Sequence, residues 1–120
     1  MKVVAPSPIS KLRTSVIIPA YNAATSLQQS IDSALHQTLL PLEIIVINDG
    51  STDETAMVTK KYGNNIIYLE QANAGQGAAR NAGLSVARGE LIAFLDADDY
   101  WMPTFLEKCT AFLQDVQGIL

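Results

Sequence analysis

Asp96, Asp98 and Asp99 close the apolar run Leu91-Ile92-Ala93-Phe94-Leu95, with only Ala97 between the first two carboxylates. Nothing in folding asks for that ending. Asp is a poor strand residue, and two carboxylates about 5 Å apart repel by roughly 3 kcal/mol at an effective dielectric near 20. A divalent cation reverses the sign of that interaction. Magnesium and manganese prefer carboxylate oxygens and are commonly shared with a substrate's phosphates. The pattern therefore points to a metal and diphosphate site at Asp96 and Asp98, with Asp99 beside it. The competing explanation is structural, because Asp also caps helices, and a helix is expected over 103–114 with Pro103 near its start. One Asp would satisfy that cap, leaving the others unexplained.

The elements that must position these residues alternate between strand and helix. A β-branched run over 15–18, stopped by Pro19, reads as a buried strand ending at Ala20-Tyr21-Asn22. The helix after it places Leu27, Ile31, Ala34 and Leu35 on one face, and Thr25 with Gln28, or Ser26 with Gln29, fits a capping box. His36 reads as a partly exposed helix residue. The second strand, over 43–47, is too uniformly apolar to have a wet face, so it should be central and parallel. It runs into Asn48-Asp49-Gly50-Ser51-Thr52-Asp53, where turn and helix-cap chemistry account for Gly50 and Asp53 but leave Asp49 free.

A third strand over 66–69 and a loop over 71–77 lead into a helix through Ala78, Arg80 and Val86, with Gly89 as its stop. Gly75-Gln76-Gly77 falls short of a dinucleotide fingerprint because the third glycine position holds Arg80. The two glycines read as loop flexibility. Arg80 either pairs with an acid or faces an anionic ligand. The fourth strand, over 91–95, delivers the acidic cluster.

Such alternation predicts the α/β class: a Rossmann-like, mostly parallel sheet with flanking helices and right-handed crossovers. Ligands on these sheets bind beyond the carboxyl ends of the strands. Tyr21, Asp49 and Asp96 each follow such an end and should share one rim. With strand order 3-2-1-4 the helix direction reverses between the first and fourth strands, opening a crevice between Tyr21 and Asp96. An aromatic face for a base, a carboxylate for a ring N–H, a cationic Arg80 and a metal-binding pair together suit a nucleotide diphosphate.

Composition sets the outer bounds. A chain of 120 residues, 48% apolar, fits one small domain, divided here into a loose tail over 1–14 and a folded unit over 15–120. A net charge of −4 argues against a nucleic-acid partner. With only Cys109 and His36, neither an internal disulfide nor a zinc cluster is expected. No apolar run approaches the roughly 20 residues needed to span a bilayer, and a cytoplasmic setting is the default.

Pro19-Ala20-Tyr21-Asn22, Asn48-Asp49-Gly50-Ser51-Thr52-Asp53, Asn73-Ala74-Gly75 with Ala79-Arg80-Asn81-Ala82-Gly83, and Gly89-Glu90 with Asp96-Ala97-Asp98-Asp99 occur in that order. Together they resemble the donor-binding half of a family 2 glycosyltransferase with the GT-A fold, over residues 15 to about 113. The resemblance implies metal-dependent transfer of a sugar from a nucleotide-diphosphate donor, often a UDP-sugar, to an acceptor hydroxyl with inversion. Pro19, Ala20, Tyr21, Asn22, Asp49, Gly50, Ser51, Arg80, Asp96 and Ala97 would bind the donor, with Tyr21 and Asp49 at the base. Asp96 and Asp98 would hold manganese or magnesium.

Two departures stand out. The family usually carries two acids before Gly-Ser, and here the first is Asn48. Its acceptor-binding region, source of the catalytic base, would lie beyond Leu120. The chain is thus expected to be the donor-binding portion of a longer enzyme, cytoplasmic or at the membrane surface, acting on a carbohydrate or lipid-linked acceptor. An exposed sheet edge would favour self-association. The main rival is a receiver-type signalling domain, which also has a metal-binding acidic cluster. That family puts paired acids after its first strand, where this chain has Pro19-Ala20-Tyr21-Asn22, and no fifth strand with its lysine is found.

Overall fold

The computed structural model describes residues 12–119. Four strands, β1 (Thr14–Ala20), β2 (Glu43–Asp49), β3 (Ile67–Gln71) and β4 (Leu91–Phe94), form one sheet in the order β3-β2-β1-β4, with every neighbouring pair parallel. Helices α1 (Leu27–Leu35), α2 (Thr55–Lys60), α3 (Gln76–Val86) and α4 (Phe105–Ile119) connect and follow them. The α/β class expected from sequence is present, and the strand order is the 3-2-1-4 arrangement under which a crevice opens between the first and fourth strands.

Side chains alternate across the central strands, so the apolar runs of β1 and β2 feed two cores. Val16, Ile18, Ile44 and Val46 pack with Leu27, Ile31 and Ala34 of α1 and Leu106 of α4. Ile17, Ile45 and Ile47 face Ala79 of α3. No β-carbon would fit at Gly83 without approaching Ile17 Cγ2 to 2.7 Å, so the missing side chain lets α3 lie against the sheet.

Several boundaries differ from the sequence reading for identifiable reasons. Arg13 and Thr14 are not tail. The Arg13 N–H donates to Glu90 Oε1 at 3.0 Å, its carbonyl accepts from Leu91, and Thr14 opens β1. Residues 1–11 of the expected tail lie outside the described residues, as does Leu120. Pro19 does not stop β1. The Leu95 N–H donates to the Ile17 carbonyl, so Ile17 and, two residues on, Pro19 turn their backbone toward β4. β4 stops opposite Ile17, so at Pro19 the sheet needs no donor on that side.

Gly89 is not the stop of α3, whose C-cap is Ala87. A β-carbon at Gly89 would lie 2.7 Å from both the backbone nitrogen and Oγ of Ser15, and its N–H donates to Ser15 Oγ at 2.8 Å. The close approach seats β4 beside β1, and buried Glu43 locks the same corner by accepting from Ser15 Oγ and from the Arg88 N–H. Gly89→Ala should therefore destabilise the chain by about 1–3 kcal/mol. A lower urea midpoint with unchanged slope is the expected result.

Candidate functional site

Where β4 has ended and β1 continues, a cavity of about 580 Å³ opens at the carboxyl rim. The sequence-expected Pro19, Ala20, Tyr21 and Asn22 line one side of it, and Asp96, Ala97 and Asp98 the other. Asp49 lines its floor. Tyr21 is 52% exposed, leaving its ring face available. Gly50, Ser51 and Arg80 are not among the lining residues, whereas Asn73 and Gln76, to which the sequence reading gave no role, are.

Asp49 is 3% exposed, and both its carboxylate oxygens are occupied. Oδ1 accepts from the Gln71 side chain at 2.9 Å and the Ala74 N–H at 2.8 Å. Oδ2 accepts from the Gly75 N–H at 2.9 Å and more loosely from Asn73 Nδ2 at 3.3 Å. Burial pushes the carboxyl's pKa upward, but the Gln71 amide and the two backbone donors outweigh it and hold it below the ordinary value. Asp49 is therefore not free, as the sequence reading had it. It orders the segment that carries Asn73 and Gly75 into the site. Gly50 is needed for the same approach, at φ 71°, since a β-carbon there would sit 2.5 Å from Asn73 N.

Asn22 and Ser51 also hold loops together. Asn22, at φ 48°, donates its N–H to Ser51 Oγ at 2.9 Å, and its Oδ1 accepts from the Thr52 N–H at 2.8 Å. The Ala23 and Ala24 N–H groups donate to Thr55 Oγ1 and Asp53 Oδ2. Asn48, 2% exposed, accepts from the Ser51 N–H and donates its amide to Tyr68 Oη, which in turn donates to Glu70. Asn48, the departure from the usual acidic pair, fits this chain because it must donate as well as accept.

The acidic turn shows a division between its members. The Asp96 carboxylate lies 3.7 Å from Arg80 Nη2 and 3.4 Å from Gln76 Nε2, while the Arg80 guanidinium sits 5.5 Å above the Phe94 ring. Of the two alternatives for Arg80, pairing with an acid is the one present. Among the described residues Asp98 meets no protein donor, and none of the three carboxylates caps α4. Asp96 and Asp98 offer only hard oxygen ligands to one cavity. Among the described residues no group of three or more His, Cys, Asp or Glu side chains gathers to hold a metal. That donor set fits a magnesium- or manganese-like ion completed by phosphate and water oxygens, and does not fit a closed protein cage.

The Ser26 cap is absent. Ser26 makes no side-chain hydrogen bond to its own helix and donates to the Ala97 carbonyl at 2.9 Å. Ser30 and Ser33 extend the contact to the acidic turn, and the spacing of four and then three residues was the signal available in the sequence.

The profile of glycosyl transferase family 2 matches residues 15–119. The chain belongs to that family. Among its relatives, the uncharacterized glycosyltransferase YibD of Escherichia coli K12 is 48% identical over 107 residues, covering 86% of this chain and 31% of YibD. Chondroitin synthase of Pasteurella multocida is 46% identical over 105 residues, covering 84% and 11%. Of solved structures, S. aureus TarS in complex with UDP-GlcNAc superposes with a TM-score of 0.76 at 32% identity, covering 87% of this chain and 32% of that one. The mannosyltransferase PcManGT from Pyrobaculum calidifontis, in complex with GDP-Man and Mn2+, gives 0.66 at 29%, covering 82% and 31%. This family 2 chain thus spans about a third or less of these relatives, and its fold is GT-A.

Because Asp49 ties the rim through charge-assisted hydrogen bonds, Asp49→Asn should cost about 2–3 kcal/mol of stability in urea titration. Its lowered pKa stabilises the wild type above the unfolded carboxylate value, near 3.9. That contribution disappears as pH falls through the folded value, so the wild type should lose its advantage over Asp49→Asn in strong acid.

Proposed function

We propose that this chain is the donor-binding part of an enzyme that transfers a sugar from a nucleotide diphosphate, of UDP type, to an acceptor hydroxyl with inversion. The observation that carries the reading is the gathering of Tyr21, Asp49, Asp96 and Asp98 around one cavity at the carboxyl rim. TarS in complex with UDP and with UDP-GlcNAc supports the donor class, and PcManGT with GDP-Man and Mn2+ supports a metal.

In this reading the base stacks on the exposed Tyr21 ring. The base edge reaches Asp49 by displacing the 3.3 Å Asn73 contact, the loosest of its four. Pro19, Ala20, Asn22, Gly50 and Ser51 shape the wall behind it. Asp96 and Ala97 face the ribose and Asp98 the diphosphate, while Arg80 keeps Asp96 from repelling an anionic ligand. A divalent ion bound at Asp96 and Asp98 would supply Lewis-acid stabilisation of the charge on the departing diphosphate. No catalytic base is assigned within the chain. The receiver-type alternative lacks support at the rim, where Pro19-Ala20-Tyr21-Asn22 occupies the place of its paired acids.

Among the described residues no helix is long and apolar enough to cross a membrane, and the proposed setting is the cytoplasm, at the membrane surface when the acceptor is lipid-linked. β4 is an outer strand with Ile92 and Phe94 exposed beside Phe105 and Phe112, so self-association through this edge belongs to the same proposal. Sedimentation velocity should show a concentration-dependent dimer that Ile92→Lys weakens. A concentration-independent monomer would remove that part.

The donor reading is tested by calorimetry with UDP. Binding should strengthen on adding manganese, and Asp98→Ala should lose at least about tenfold of that metal-dependent gain. Equal heats with and without metal, or rapid aspartyl labelling by acetyl phosphate, would sink the reading.

A further inference from the structure

Ser30 is fully buried in the middle of α1, and its hydroxyl does not do what serine hydroxyls elsewhere in these helices do. Ser33 and Ser85 donate to the carbonyl three residues earlier in their own helices, and Thr59 to the carbonyl four residues earlier. Ser30 Oγ instead leaves its helix. It lies within hydrogen-bond reach of the carbonyls of Asp96 at 3.2 Å, Ala97 at 2.9 Å and Asp99. Ser26 Oγ fills the second lone pair of the Ala97 carbonyl, and the Trp101 N–H donates to Ser33 Oγ at 3.1 Å. Within the turn itself only the Asp99 N–H to Asp96 carbonyl bond of 3.0 Å closes the backbone.

From this geometry we infer that Ser30 is a positioning residue for the acidic turn: its one hydroxyl proton, set among the Asp96, Ala97 and Asp99 carbonyls, ties that backbone to α1 and fixes where Asp96 and Asp98 project. The inference rests on the donor reading above. Asp98 has no protein partner among the described residues to hold it, so its direction depends on the backbone beneath it. Without the Ser30 hydroxyl the three carbonyls lose the one proton they share, Ser26 alone still donates to the turn from the start of α1, and the turn can rotate its carbonyls toward water in the cavity.

The test compares Ser30→Ala with Thr59→Val, which also deletes a buried hydroxyl but one that bonds only within α2. Manganese is titrated against the full chain with UDP present, and UDP binding is measured separately in EDTA. Ser30→Ala should raise the manganese concentration at half-maximal UDP binding about tenfold and leave binding in EDTA unchanged. Thr59→Val should match the wild type in both. In the metal-free protein, amide exchange at Asp99 and Trp101 should quicken in Ser30→Ala alone. Should Ser30→Ala fail to fold, Ser26→Ala removes the other donor to Ala97 and should shift manganese dependence in the same direction by less. A metal-dependent wild type with an unshifted Ser30→Ala, or with UDP weakened equally with and without metal, overturns the role of Ser30 alone. A wild type indifferent to manganese overturns the donor reading and takes this inference with it.

Discussion

Backbone N–H and C=O groups that leave a sheet at its strand ends must find partners elsewhere, and buried ones left without partners are costly. At the carboxyl rim of this protein the partners are short side chains from other segments. Asp49 at the end of β2 receives the chain after β3. Asn22 after β1 receives the chain after β2, and α1 receives the chain after β4. Each loop is thereby shaped by its neighbour, which is why a cavity assembled from four separate segments can be ordered before any ligand arrives. The arrangement also explains why Asn22 and Ser51 belong to the site without both reaching its surface.

Charge is distributed unevenly over that frame. Asp49 is saturated by donors, Asp96 is partly offset by Arg80 and Gln76, and Asp98 stands open to the cavity. Under the proposed reading, in which a hard cation is shared with phosphate, such a gradation is favourable. An unpaired carboxylate retains full attraction for the ion, while a neighbour already partly neutralised adds less repulsion toward an anionic ligand. The cation over Phe94 keeps that neutralising group fixed on the sheet.

Much of this was legible in the residues. Two uniformly apolar strands, the helical spacing between them, and the abrupt acidic ending of the fourth strand define the alternation, the central pair and the rim. What escaped were roles set by contacts distant in the chain. Ser26 has the local signature of a cap and Gly89 that of a helix stop, yet both serve segments more than 70 residues away. Pro19 looks like a terminator because its missing N–H matters only where a neighbouring strand is present. Asp49 looked available because its donors come from the far side of β3. Local propensity reads the chain one stretch at a time, and these residues answer to tertiary partners instead.

The chain of hydrogen bonds from Asn48 through Tyr68 to Glu70 has a consequence for how this sequence can change. A phenol has a single proton, and here it is given to Glu70, so the residue at 48 must be the one that donates to the phenol oxygen. An aspartate cannot do so. With Asp at 48, two carboxylates would compete for that one proton, and Glu70, the solvent-exposed one, is the partner whose place water can take.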